Sequence, residues 1–183
     1  WLPEKSRRET WPEVVDRYFN HFPGLPEDLK SMVVGLEVLP STRALMTAGP
    51  ALERCNVAGY NCSYLPVDHP RAFDETMYIL MCGTGVGFSV ERKYTDKLPV
   101  VNEHFENSET VINVGDSKAG WARAYRELVG LLYTGQIPRW NVDGVRPAGA
   151  PLKTFGGRAS GPEPLESLFR VTVETFQKAR GRR

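Results

Sequence analysis

The chain has 183 residues, long enough for one domain with a real core. Hydrophobic residues at 41% and charged residues at 25% fit a soluble globular protein, and a net charge of +1 gives no global attraction to nucleic acid or an anionic membrane. No apolar run reaches membrane-spanning length, and the opening WLPEKSRRETW lacks the apolar core of a signal peptide. Three cysteines without a CxxC or CxxH pattern argue against a disulfide framework and against structural zinc. The reducing cytoplasm is the expected compartment.

Residues 1–40 read as a small helical region. Trp11, Val14, Val15, Tyr18, Phe19 and Phe22 share one face, and Pro23-Gly24 stops that helix. Leu29, Met32, Val33 and Leu36 make a second helical stripe. Gly49-Pro50 and Gly59 then punctuate the chain, and residues 61–67 suit a short strand. Asp68 is placed to cap the next helix, with Pro70 early in its first turn. Phe73, Met77, Leu80 and Met81 form the buried stripe of that helix, and Cys82-Gly83 ends it. Gly83, Gly85 and Gly87 feed a strand expected over residues 88–91. Residues 93–120 read as polar and irregular, with a short strand at 111–114. Asp116 or Ser117 caps a helix carrying Trp121, Tyr125, Leu128 and Leu132. A Gly- and Pro-rich loop is expected from about 135 to 164. A last helix carries Leu165, Leu168, Phe169, Val173 and Phe176 and runs into the basic KARGRR.

Cys62 is read at a strand terminus, where a short strand would end. A free cysteine is most often a small core residue, and the functional alternative is redox work or the lining of a substrate pocket. The GTGVGF turn invites a dinucleotide-binding reading, but that loop runs strand, glycines, helix. Here the order is helix, glycines, strand, which would aim the negative helix end at a phosphate. A tight turn with positive φ, or close backbone approach to a ligand, fits better. The FGGRASGP stretch at 155–162 precedes a helix and lies near Arg146, Lys153 and Arg158, so it is either an anion-binding loop or a flexible connector. His21, His69 and His104 are scattered, and none is paired with a second ligand at metal spacing. The terminal KARGRR is too short to indicate nucleic-acid binding.

The segments RALMTAGPALERCNVAGYNCSYLPVD, AFDETMYILMCGTGVGFSVER and VRPAGAPLKTFGGRASGPEPLESLF resemble the adenosylcobalamin-dependent (class II) ribonucleotide reductases, most closely the monomeric ribonucleoside-triphosphate type. The resemblance covers most of the chain and is to the N-terminal part of a much longer protein. It implies an α/β fold of mixed helices and strands: an N-terminal helical region over 1–40, and the first strands of a ten-strand barrel over 41–92. An inserted segment over 93–144 would build part of an allosteric specificity site, and residues 145–183 would return to the barrel.

The resemblance implies roles residue by residue. Cys62, in NCSY, matches the cysteine that reduces the ribose and becomes half of a disulfide, with its partner cysteine outside this chain. Thr42, Asn61, Cys62 and Gly85 match substrate-contacting positions. Asp68, six positions after Cys62, matches an effector-binding aspartate, and Arg146 and Lys153 match basic effector contacts. Asp116, Ser117 and Lys118, at a helix start inside the insertion, are further effector candidates. Cys55 stands where relatives carry an aspartate. The implied partners are a ribonucleoside triphosphate, a deoxynucleotide effector, a thioredoxin-like or dithiol reductant and the rest of the reductase polypeptide, with adenosylcobalamin as cofactor. No membrane or nucleic-acid partner is implied. The finger-loop cysteine that carries the thiyl radical in the family has no match here, nor do most cobalamin contacts. The chain alone is therefore expected to be inactive. The alternatives are a non-catalytic deoxynucleotide-binding module or one subunit of a split gene.

Overall fold

The computed structural model describes residues 5–152 and 157–183. The chain divides into two compact units, residues 1–61 with 152–157 and residues 62–151 with 158–183.

The first unit is helical. Helix α1 spans Trp11–His21, α2 Glu27–Val34, α3 Thr42–Thr47 and α4 Pro50–Arg54, followed by a 3-10 turn over Asn56–Gly59. The Glu13 carboxylate accepts from the Thr10 amide at 2.8 Å, closing the N-terminus of α1. Ion pairs with Arg7 and Lys5 hold that carboxyl well below the usual carboxylate range. Arg17 ties α1 to the end of α3, donating to the Ala48 carbonyl at 2.6 Å and the Leu45 carbonyl at 3.0 Å while pairing with Glu9. These bonds satisfy carbonyls that the short helix leaves unpaired at its C-terminus. The second helical stripe is mostly outward. Val33 is buried, whereas Leu36 lies past the helix end, exposed and at φ 62°.

The second unit holds two strand–helix–strand crossovers. Strand β1 (Cys62–Pro66) leads through helix α5 (Arg71–Met81) to β2 (Gly85–Ser89), and the strands pair in parallel. After the short helix α6 (Arg92–Thr95), strand β3 (Glu106–Asn113) leads through helix α7 (Lys118–Tyr133) to β4 (Gln136–Asn141), again in parallel. Helix α8 (Glu163–Lys178) packs on α7. Parallel strands need such a crossover, because a tight hairpin cannot reverse direction twice. The core of this unit is made by Ile112, Tyr125, Leu128, Val129, Leu132, Leu165 and Phe169, among others. Among the described residues no helix is long and apolar enough to cross a membrane.

Several elements differ from the sequence expectation. Asp68 does not cap α5, whose N-cap position is Pro70 with no side-chain cap; the Asp68 carboxylate pairs with Lys97 at 3.4 Å instead. Strand β2 begins at Gly85, three residues early. Only Gly83 takes positive φ (86°), so Gly85 and Gly87 are extended and join the ladder. Strand β3 starts inside the acidic stretch at Glu106, and β4 lies in what reads as loop. Pro138 interrupts the β4 pattern, yet a two-stranded sheet has an open side on which a missing N–H costs no ladder bond. The C-terminal basic run folds back: the Val101 amide donates to the Arg182 carbonyl at 2.8 Å, and the Arg180 guanidinium lies over the Phe105 ring.

Candidate functional site

The parallel register of β1 and β2 sets Cys62 opposite Gly85 at the N-terminal ends of both strands. Both residues are exposed. Gly85 carries no side chain, so the backbone beside the thiol is open to a ligand. The Ser63 hydroxyl donates to the Gly85 carbonyl at 3.1 Å and pins this end of the pair. Asn61 immediately precedes Cys62 and is exposed, as is Thr42, the first residue of α3. The other two thiols differ in setting: Cys82 is buried at the end of α5, and Cys55 is half-buried between α4 and the 3-10 turn. All three are free. Cys62 is thus the exposed thiol among them, and the bland reading of a core cysteine fits Cys82 rather than Cys62.

A second group forms at the start of α7. Ser117 is the N-cap, its hydroxyl oxygen accepting from the Gly120 amide at 2.9 Å. Arg146 lies against Asp116, its Nε 3.0 Å and 2.9 Å from the two carboxylate oxygens, and its backbone N–H also points at Oδ1. Lys118 opens the helix. The structure therefore brings Asp116, Ser117, Lys118 and Arg146 together at a sixteen-residue helix whose positive dipole end faces them. The Arg146 guanidinium is already neutralised by Asp116. An anion arriving here competes with that carboxylate for the guanidinium. Gly120 is required at this turn, since a Cβ there would sit 2.4 Å from the Gly115 carbonyl oxygen. Asp68 is held by Lys97, and Lys153 lies outside the described residues.

The 155–162 stretch offers less to an anion than its composition suggests; Phe155 and Gly156 lie outside the described residues. Arg158 donates to the Gly149 carbonyl at 2.8 Å, and the first turn of α8 carries Glu163 and Glu166, which already answer its dipole.

One polar cluster escapes the motif reading. Asp74 of α5 is 1% exposed, and Arg126 of α7 donates to its Oδ2 from Nε at 2.9 Å and from Nη2 at 2.7 Å. The signal available in the sequence is that Asp74 sits beside Phe73 and three residues before Met77, inside the apolar stripe. Its partner, 52 residues away, has no sequence signature.

No family model matches the chain. Among curated proteins it is 30% identical, over 93% of its length, to an adenosylcobalamin-dependent ribonucleoside-triphosphate reductase assigned in Mycobacterium phage D29, covering 30% of that protein. It is 26% identical over its full length to the adenosylcobalamin-dependent ribonucleoside-triphosphate reductase of Lactobacillus leichmannii, covering 35% of it. That alignment runs over 258 positions, so the relative carries stretches with no counterpart in these 183 residues. Among solved structures the fold matches a B12-dependent (class II) ribonucleotide reductase with a TM-score of 0.81 and 24% identity, over 100% of this chain and 36% of that one. The chain spans about a third of the length of the relatives it matches. Along its whole length, then, it is a homologue of part of the adenosylcobalamin-dependent ribonucleoside-triphosphate reductases.

Proposed function

We propose that this chain is the N-terminal portion of a class II ribonucleotide reductase and supplies the reducing thiol and part of the substrate floor. The observation that carries the reading is the exposed Cys62 set opposite Gly85 on adjacent parallel strands, in a chain homologous throughout to such reductases. The chemistry needs two thiols. A ribose carbon exchanges its 2′-hydroxyl for hydrogen, the hydroxyl leaves as water, and two thiols give up two electrons to become a disulfide. Cys62 is one of the two; the second belongs to the remainder of the polypeptide. Asn61 and Thr42 are the proposed polar substrate contacts, and the bare Gly85 backbone admits the nucleotide beside the thiol.

Two open clefts lie on the helical unit, one of about 390 Å³ bordered by Glu13, Asp16, Arg17 and Glu53 and one of about 560 Å³ bordered by Glu27, Asp28 and Lys30, and such charged linings suit a flat corrin poorly. The cofactor, and the radical cysteine it serves, are assigned to the rest of the reductase. A dithiol or thioredoxin-like protein would re-reduce the disulfide.

In this reading residues 1–40 are a helical preamble and 41–92 the first barrel strands. Residues 93–144 are the insertion that forms part of the specificity site, and 145–183 return to the barrel. Asp116, Ser117, Lys118 and Arg146 contact a deoxynucleotide effector, with Asp68 and Lys153 as additional contacts. The test compares the chain with the complete polypeptide. The chain given a ribonucleoside triphosphate, adenosylcobalamin and a dithiol should form no deoxyribonucleotide. Cys62→Ser in the complete enzyme should abolish dithiol-driven multiple turnover. Full turnover in that variant removes the redox assignment. Deoxynucleotide binding by a chain whose complete polypeptide lacks reductase activity would favour the binding-module alternative.

A further inference from the structure

The buried carboxylate of Asp74 has no use in the reading above. It is the fourth residue of α5 and sits where Phe73 and Met77 pack against the core that α7 and α8 build. Its Oδ2 takes both Arg126 donors, while its buried Oδ1 accepts no hydrogen bond among the described residues. Burying a carboxylate with one oxygen bare is costly, and an apolar side chain of similar volume would join two helices as strongly or more so. What the ion pair adds is direction. Apolar contacts hold helices together at many offsets, because the hydrophobic effect is non-directional. A guanidinium fork on a buried oxygen holds at one. The pair therefore fixes the register of α5 against α7.

Those two helices are not equivalent bystanders. Helix α5 is the crossover between β1 and β2, whose register places Cys62 opposite Gly85. Helix α7 starts at the Ser117 cap beside the Asp116–Arg146 pair, and Arg126 lies about 12 Å along it at 1.5 Å per residue. Arg126 keeps half of its side chain in water, so it can follow a movement of α7 without being stripped of solvent.

We infer that the Asp74–Arg126 ion pair is a positioning link, through which ligand state at the α7 N-terminus sets the placement of the Cys62–Gly85 strand pair. The link rests on the effector reading of Asp116, Ser117, Lys118 and Arg146. An anion that draws Arg146 from Asp116 changes what holds the start of α7, and the fork passes the resulting shift to α5.

The experiment follows the alkylation rate of Cys62 by iodoacetamide in this chain, mapped by peptide mass so that Cys55 and Cys82 are read separately. It is run with and without each of the four deoxynucleoside triphosphates, whose affinities are measured in parallel. In the unsubstituted chain a bound nucleotide should change the Cys62 rate by about fivefold or more. Arg126→Gln should keep nucleotide affinity within about threefold and lose that response. Asp74→Asn should do the same and carries the test if Arg126→Gln fails to fold by circular dichroism. Arg126→Lys, which keeps charge without the fork, should recover part of the response. A full response in Arg126→Gln or Asp74→Asn overturns the link. So does a nucleotide that binds the unsubstituted chain and leaves Cys62 unchanged, a result that spares the effector reading. Absence of nucleotide binding removes the effector reading and the link together.

Discussion

The second unit contains the same device twice, and the two copies are packed to different ends. In β3–α7–β4 the helix buries Ala122, Ala124, Tyr125, Leu128, Val129 and Leu132, and Ile112 of β3 is 1% exposed. In β1–α5–β2 no strand residue is buried, and α5 buries only Ala72 and Asp74. Tyr64, Leu80, Phe88 and Val90 of that copy stay more than half exposed. One crossover is a finished core; the other is a platform whose faces remain open and whose deeply buried side chains beyond alanine, Asp74, Cys82 and Thr84, lie on its helix or just past it. The difference places the exposed thiol on the weakly packed copy and the stability of the unit on the other. Local stability is low where buried apolar contacts are few, so the Cys62 platform takes its rigidity from α7.

The largest test of that division is Phe169→Ala. Phe169 is fully buried on α8, stacked on Tyr125 at 6.1 Å and edge-on to Trp140 at 5.5 Å, so it joins α8, α7 and β4. Its loss should cost about 3–5 kcal/mol in denaturant unfolding. Because β1–α5–β2 leans on α7, amide exchange in β1 and β2 should quicken in step with β3 and β4. Unchanged protection of the Cys62 strands would mean that the platform stands by itself.

Gly135→Ala should come next. Gly135 follows α7 at φ +82°, and an added Cβ would lie 2.5 Å from the His104 carbonyl oxygen. The left-handed backbone alone costs an alanine about 1–2 kcal/mol, and the clash with backbone adds to it. We expect about 2 kcal/mol or more, with β4 pairing lost first. A neutral result would show that the turn into β4 adjusts freely.

How far these features were legible in the sequence depends on whether their cause was local. Helices α1, α5, α7 and α8 follow from apolar spacing and from stops such as Pro23-Gly24 and Cys82-Gly83, and of the two caps the sequence offers for α7, Asp116 or Ser117, the structure uses Ser117. The missed elements have non-local causes. In β3 the inward residues are Ser108, Thr110 and Ile112, and only the last is apolar, so period-two alternation hardly registers. Strand β4 hides behind Pro138, and β2 starts at Gly85 because β1 supplies a ladder there, not because glycine favours a strand. Asp68 has the residue type of a cap, but Lys97 holds it elsewhere. The Cys62–Gly85 pairing sets in register two positions that the family resemblance already groups as substrate contacts. The Asp74–Arg126 pair needed the packing of two helices far apart in sequence.

The smallest expected effect is the most pointed about the open platform. Tyr64 and Phe88 are 62% and 61% exposed, on neighbouring parallel strands. Surface substitutions away from special features change stability by about 0.5 kcal/mol or less, so Tyr64→Ser with Phe88→Thr should barely move the unfolding midpoint. Association should respond differently. The register, Tyr64 opposite Gly87 and Phe88 opposite Leu65, puts the two rings on opposite faces of the sheet, and exposed rings beside unpaired strand edges are templates for pairing with other chains. If the remainder of a reductase barrel normally covers these faces, the bare chain should self-associate through them, and the double variant should sediment as a smaller species at the same concentration. A loss of more than about 1 kcal/mol would place these rings in the folded core after all. An unsubstituted chain that sediments as a monomer and melts cooperatively would remove the open platform as a docking face, since nothing then needs to cover it.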